Sequence, residues 1–346
     1  MMKRLFTLAV QAAAGLAVIF AAPAMADPDP LGLALYGSGD MPMVAMAGLV
    51  ITGDTLRSLQ QGFNAAFLQG FGSVKSTWNL IAMRVPSTAD LENYGWMKEL
   101  PGMREWIGQR VVHNLEATSA QLRNKNWEHT IGVDRNHIED DKLGIYAPML
   151  SMQGETVGRH PDELVWGLLP TGFAVKGFDG QYFFDTDHVG YTAAGAETSW
   201  SNTGGGAGAP WFLMDLSRSF MKPMIFQERK AAQFVALDNE KDPNVFMNRQ
   251  FLYGADARYV SGFGFHQLAY GSKATLDAAS FAAARLALET QRRPDGSPQS
   301  VVATHLVCGP SRRTEAEAVL MKEYLAAGES NTNYKAVNLV VDPRLG

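Results

Sequence analysis

One stretch constrains the chain more than any other: residues 134–188, DRNHIEDDKLGIYAPMLSMQGETVGRHPDELVWGLLPTGFAVKGFDGQYFFDTDH. It opens with an acidic turn, Glu139-Asp140-Asp141, and runs into an apolar series at Met149, Met152, Val157, His160, Leu164, Val165, Leu168 and Leu169. Spacings of mostly three and four predict a long helix with that series on its buried face. Pro148 falls where a first helical turn tolerates a residue without an N–H. Pro161 lies inside the pattern and predicts a kink or a break into two helices. Pro170-Thr171-Gly172 closes the helix, and Gly177 to His188 reads as a hairpin turned at Asp179-Gly180. Acidic residues just ahead of a helix favour its dipole, so Glu139 to Asp141 need no ligand.

A chain of 346 residues with 46% hydrophobic and 19% charged residues holds a sizeable core, in one elaborate domain or two. The formal charge of −5 argues against a dedicated nucleic-acid binder, which would carry a basic surface. The single cysteine, Cys308 in THLVCGP, excludes an intrachain disulfide and reads as a small buried hydrophobe. With no CxxC and seven scattered histidines there is no zinc pattern, so neither metal nor cofactor is expected. His113, His129 and His137 read as isolated surface or satisfied histidines.

The N-terminus points elsewhere. Lys3-Arg4, an apolar run from Leu5 to Ala22 and Ala24-Met25-Ala26 together read as a secretory signal peptide over residues 1–26. Gln11 and Gly15 count against a permanent membrane helix. From Thr52 the pattern changes to a helix carrying Leu56, Leu59, Phe63 and Phe67, capped by Thr52 or Asp54 and ended by Gly70 and Gly72. Residues 74–133 read as extended and are rich in aromatics, among them Trp78, Tyr94, Trp96, Trp106 and Trp127. These suit either large contacts or a core.

After His188, GYTAAGAETSWSNTGGGAGAP reads as a flexible loop or connection. Its glycines make no phosphate cradle, since no strand precedes them and no Lys-Ser/Thr follows. Trp211 to Ala269 reads as mainly β. A helix over Thr275–Gln291 follows, with Leu276, Phe281, Ala284, Leu286 and Leu288 near one face. The remainder reads as a strand through Cys308, a helix capped by Ser311 with Glu315 in its first turn, and a final strand in NLVVDPRLG.

The most enzyme-like group is Asp185-Thr186-Asp187-His188, which could bind a divalent ion or form an acid–base pair. On a strand, however, Asp185 and Asp187 share a face and His188 points opposite. No further motif completes a site, and the expectation is a capped or salt-bridged turn with no catalytic residue.

The segments EWIGQRVV, GVDRNHIEDDKLGIYAPM, HPDELV, DGQYFFDTDH and LYGADARYVSGFGFHQLAYGS resemble, in order, the Mu-like phage major head subunit family, gpT. The resemblance runs from about Val50 to the C-terminus and several separate motifs carry it. It implies an α+β Hong Kong 97-type capsid fold. The corresponding division is an N-terminal arm at 46–75, an extended loop with peripheral-domain strands at 76–133, a spine helix and hairpin at 134–190, and an axial domain at 191–346. Residues 1–45 would then be an over-called or signal-like extension outside the fold, with the true start at Met41, Met43 or Met46. The implied function is self-assembly into pentamers and hexamers of an icosahedral shell around double-stranded DNA, in the host cytoplasm and without a membrane. A scaffold, a maturation protease and a portal are the implied partners. The weak charge does not oppose this, because a shell wall needs no basic face. In the extended loop Trp96 and Trp106 become candidate subunit contacts, and Arg104, Glu105 and Arg110 candidate inter-subunit ion pairs. Lys98, Lys125 and Asn114 lie in the region where some capsids of this fold crosslink, but the family implies no crosslink. The competing reading is an exported periplasmic α/β protein, a hydrolase working through Asp185–His188.

Overall fold

The computed structural model describes residues 52–94, 121–139, 143–239, 241–324 and 328–346. Every described residue belongs to the compact unit Ala47–Gly346. The signal-like N-terminus, Asp140 and Asp141 lie outside the described residues.

Thr52 opens the first helix with a reciprocal cap, accepting from the Thr55 backbone N–H while the Thr55 hydroxyl accepts from its own. This helix, α1 (Gly53–Ser73), buries Leu56, Phe63 and Phe67, as its spacing predicts. Gly70 does not end it. Gly70 is buried mid-contact against the Ser151 backbone, where a Cβ would overlap the carbonyl.

A 3-10 turn at Trp78–Leu80 leads into β1 (Ala82–Pro86), β2 (Leu91–Asn93), β3 (Gln121–Arg123) and β4 (Lys125–Asp134). The short α2 (Arg135–Glu139) precedes α3 (Tyr146–Leu168). Two expectations for α3 are corrected, the break into two helices and the buried face. It runs unbroken through Pro161 for 23 residues, with both flanks fixed by tertiary contacts of Gly158 and Asp162. Its buried face is Tyr146, Leu150, Gln153, Gly154, Gly158, Asp162, Val165 and Trp166, while Met149 and Met152 are 43% and 66% exposed. The inward face meets the backbone of α1, and such an approach requires small residues rather than methionine. A Cβ on Gly154 would strike the Phe67 carbonyl, and one on Gly158 would sit 3.1 Å from that of Phe71.

A 3-10 turn at Leu169–Phe173 continues α3. The Asp179-Gly180 turn forms with Gly180 at φ +85°, but pairing stops at one bridge, Lys176 to Tyr182. Phe183 and Phe184 go into the core instead. The stretch expected to be a flexible loop carries β5 (His188–Tyr191), β6 (Glu197–Trp200) and β7 (Thr203–Gly206). Strand β6 therefore precedes the glycines. Gly206, at φ +91°, backs directly onto the Lys273 and Ala274 backbone, so these glycines serve close strand packing.

The rest comprises β8 (Trp211–Met214), β9 (Met224–Leu237), α4 (Pro243–Asn248), β10 (Gln250–Phe263), β11 (Ala269–Lys273), α5 (Ala278–Glu289), β12 (His305–Cys308), α6 (Arg313–Leu320) and β13 (Asn338–Val341). Asp277 caps α5, and Leu286 is 64% exposed rather than on its buried face. Ser311 does not cap α6. It lies in a 3-10 turn, and its hydroxyl donates to the Gly346 carbonyl oxygen at 3.1 Å.

Two sheets dominate. One has order β1-β9-β10-β4, with β9 and β10 forming a long antiparallel ribbon; the other has order β13-β12-β8-β11-β7. Strand β8 shows how they join. Trp211 and Leu213 face the apolar sides of α5 and α6, with Phe281, Leu288 and Leu320. Phe212 and Met214 face the end of α3, with Trp166, Phe184 and Phe226. A strand buried on both faces reads as a continuous apolar run, which WFLM is. A third cluster, with Phe63, Leu150, Phe251 and Tyr253, closes α1 and α3 over the far end of the ribbon. Cys308 is buried in β12, and burial pushes its thiol up to about 11, consistent with an inert packing residue.

Candidate functional site

Trp96, Trp106, Arg104, Glu105 and Arg110, together with His113, Lys98 and Asn114, lie outside the described residues. The other two tryptophans of the region are half-buried and pack on the edge of a core cluster. Trp78 packs on Phe226 with centroids 4.4 Å apart, and the Trp127 indole N–H donates to the Tyr259 carbonyl at 2.9 Å.

The Asp185–His188 group does not converge. Asp185 accepts the backbone N–H groups of Tyr182 and Thr186 at 3.1 and 2.8 Å, and Asp187 accepts from the Gln181 amide at 3.3 Å. These are turn-forming contacts. His188 alone points inward and is completely buried. The hydrolase reading finds no support in this arrangement.

The structure instead brings His188 to two residues that sequence spacing did not connect to it. Its Nδ1 lies 2.6 Å from Asp179 Oδ2, and its ring stacks on that of His266 at 4.0 Å and 9°. The Asp179-Gly180 turn after α3 supplies the carboxylate, the first residue of β5 supplies His188, and the 3-10 turn joining β10 to β11 supplies His266. Burial, reinforced by His188, pushes the His266 imidazole down to about 3, so it is neutral. Burial raises the Asp179 carboxyl, but the His188 hydrogen bond and both imidazoles outweigh it and hold it below its ordinary range. Only distance in space links these residues. The sequence marked Asp179 as a turn residue and placed both it and His266 within family motifs, but no signal joined either to His188 as a site.

A third histidine, away from this group, gives a pH-dependent prediction. His160 Nδ1 lies 2.8 Å from the Tyr259 hydroxyl and its ring meets Trp127 edge-on at 4.4 Å. Burial lowers its pKa below the ordinary 6.5. The unfolded chain therefore takes up the proton first, and the stability contribution is full above about 6.5 and declines as pH falls through that value. His160→Gln is expected to flatten the acid-side slope of urea-midpoint against pH; an unchanged slope would show that His160 takes up its proton equally in the folded and unfolded chain.

Two features stand on the surface. Charged pairs line the sheet that carries the ribbon: Arg84 with Glu228, Lys230 with Asp256, and Arg258 with Asp90. Such partly exposed pairs add little stability each. At the turn between β9 and β10, Phe246 and Met247 are 83% and 74% exposed, and Phe220 is 81% exposed elsewhere. Adjacent large apolar side chains held in water mark contact surfaces more often than single ones. Among the described residues no helix is long and apolar enough to cross a membrane.

Comparison with known proteins settles the family. The family model for the Mu-like prophage major head subunit gpT matches residues 56–345. The Mu-like prophage FluMu major head subunit of Haemophilus influenzae is 36% identical over 298 residues, covering 84% of this chain and 96% of the relative. The major capsid protein of Escherichia phage Mu is 33% identical over 291 residues, covering 82% and 95%. Among solved structures, the procapsid of bacteriophage JBD30 superposes with TM-score 0.75 at 38% identity, covering 85% of this chain and all of that one. The JBD30 capsid gives 0.69 at 27%, covering 86% and 100%. The two-sheet architecture with its long helix is thus the α+β, Hong Kong 97-type capsid fold, and the chain belongs to the Mu-like prophage major head subunit family, whose members are major capsid proteins.

Proposed function

We propose that this chain builds the wall of an icosahedral phage or prophage head, closing pentamers and hexamers of itself around double-stranded DNA in the host cytoplasm. The observation that carries this reading is the match to the JBD30 procapsid subunit, which covers the whole of that chain. In this reading α3 is the spine of the peripheral domain, α1 belongs to the N-terminal arm at 46–75, and residues 76–133 form the extended loop with its strands. The five-stranded sheet with α5 and α6 is the centre of an axial domain at 191–346. Packing of α1 on α3 within one subunit, from Leu56 to Gly70, supports an arm anchored along this helix. Trp96, Arg104, Glu105, Trp106 and Arg110 remain the proposed loop contacts, with Phe246 and Met247 added at the ribbon tip. The work is done by many modest contacts repeated by symmetry, and no active site takes part. A scaffold, a maturation protease, a portal and non-specifically held DNA are the proposed partners.

The test is intact mass with light scattering on the product of the native gene. Megadalton particles of a chain beginning near Met41–Met46 support the reading, whereas a small species beginning at Asp27 sinks it. Phe246→Ser with Met247→Ser is expected to leave the subunit folded by circular dichroism and to lower particle yield several-fold. Unchanged yield would remove the ribbon tip from the contact surface.

A further inference from the structure

We infer that Asp179, His188 and His266 form a binding site for one divalent transition-metal ion of the zinc class. The three side chains come from separate parts of the chain, and their potential ligand atoms all lie within 4.8 Å of one another. Both imidazoles are more than nine-tenths buried; His188 offers the Nδ1 that faces Asp179, and His266 offers Nδ1, which has no hydrogen-bond partner. His266 Nδ1 faces Asp179 Oδ2 from 3.7 Å, beyond hydrogen-bond reach.

Buried polar atoms normally find partners, and His266 Nδ1, orphaned beside a carboxylate, is an exception that calls for a cause. A bound cation supplies one. Two imidazoles and a carboxylate are the donor set of zinc-class ions, whereas calcium and magnesium call for oxygen donors. Around tetrahedral zinc, donors at 2.0–2.1 Å stand about 3.4 Å apart. The 2.6 Å contact between Asp179 and His188 would open by under about 1 Å, while the wider separations close by about as much or a little more. The Asp179 side chain is 20% exposed, which leaves an entry path and a fourth position for water. The ion would tie the turn after α3 to the β5 hairpin and to the 3-10 turn between β10 and β11, the link between the two main sheets. Its role is structural, a cross-link inside one subunit, and it is independent of the shell reading.

The test uses the tag-free full-length chain, dialysed against chelator and titrated with zinc chloride by calorimetry, then with cobalt(II) to read ligand-field bands. The expected result is one equivalent per chain, a tetrahedral cobalt spectrum and a zinc-dependent rise in melting temperature. Asp179→Asn and His266→Gln are expected to weaken binding by more than the roughly 10–100-fold that loss of an outer-shell partner costs. His129→Gln, at an exposed histidine away from the site, is expected to change nothing. Where His266→Gln does not fold by circular dichroism, Asp179→Asn, at a partly exposed side chain, decides. No binding by the wild-type chain at micromolar zinc, or binding that survives in either folded variant, overturns the proposal and leaves a stacked, metal-free histidine pair.

Discussion

Gly154→Ala is expected to destabilise the subunit, although alanine is the better helix former by about 1 kcal/mol. The new Cβ would overlap the Phe67 carbonyl and approach the Phe71 N–H to 2.8 Å. Neither atom can rotate aside, because both are backbone within α1. Relief requires α1 and α3 to separate, which loosens Phe63, Leu150 and Tyr253 in the cluster between them. Overpacking of this kind costs about 1–3 kcal/mol and more when the backbone itself is struck, so packing outweighs propensity. Gly70→Ala meets Ser151 in the same way from the other helix. Because both substitutions push the same pair of helices apart, the double variant is expected to cost less than the sum. Urea unfolding of the unassembled subunit, followed by tryptophan fluorescence, reads the effect. A raised midpoint in Gly154→Ala would mean that the two helices do not approach as described.

Asp162→Ala is expected to cost more, about 3–5 kcal/mol, because a carboxylate with 1% exposure holds two parts of the chain together. One oxygen accepts the backbone N–H groups of Thr77 and Trp78 at 2.8 and 2.7 Å, the opening donors of the 3-10 turn before β1. The other lies 4.0 Å from the Arg344 guanidinium near the C-terminus. Thr77 in turn accepts from the Trp166 indole N–H at 3.0 Å. Removing the carboxylate leaves two part-buried backbone donors unpaired and loosens the Thr77 hydroxyl to which Trp166 donates. Asp162→Asn keeps the shape and an acceptor and is expected to lose roughly half as much. Equal losses for alanine and asparagine would show that charge rather than hydrogen bonding carries the contact. The fluorescence of Trp166, fully buried in the folded chain, reports the change directly.

These two sites show where sequence reading reaches its end. The ordered motifs identified the family, and local signals found most elements: the Thr52 cap, the run through α3, the continuous apolar β8 and the buried Cys308. The three- and four-residue spacing found α3 but put its methionines inward. Periodicity reports which residues share a face. It does not report whether that face meets side chains, which reward bulk, or a backbone, which admits only glycine. The same gap explains Gly70, read as a helix end and found as a contact, and the glycines of β7, read as loop and found pressed against β11. No local pattern marks Asp162, next to Pro161; its value lies in Thr77, Trp78 and Arg344, none of them near it in sequence.

The sequence by itself determined the family, the α+β class, the positions of the main helices and strands, and the solitary, buried cysteine. It did so because motif order, capping residues and short-range periodicity are local properties. Only the tertiary structure decided which face of α3 is buried, that His188 leaves Asp185 and Asp187 to join Asp179 and His266, and that Trp78 and Trp127 pack on the edge of a core cluster. Each of those outcomes depends on partners brought together by sheet topology, whose identity no local pattern encodes.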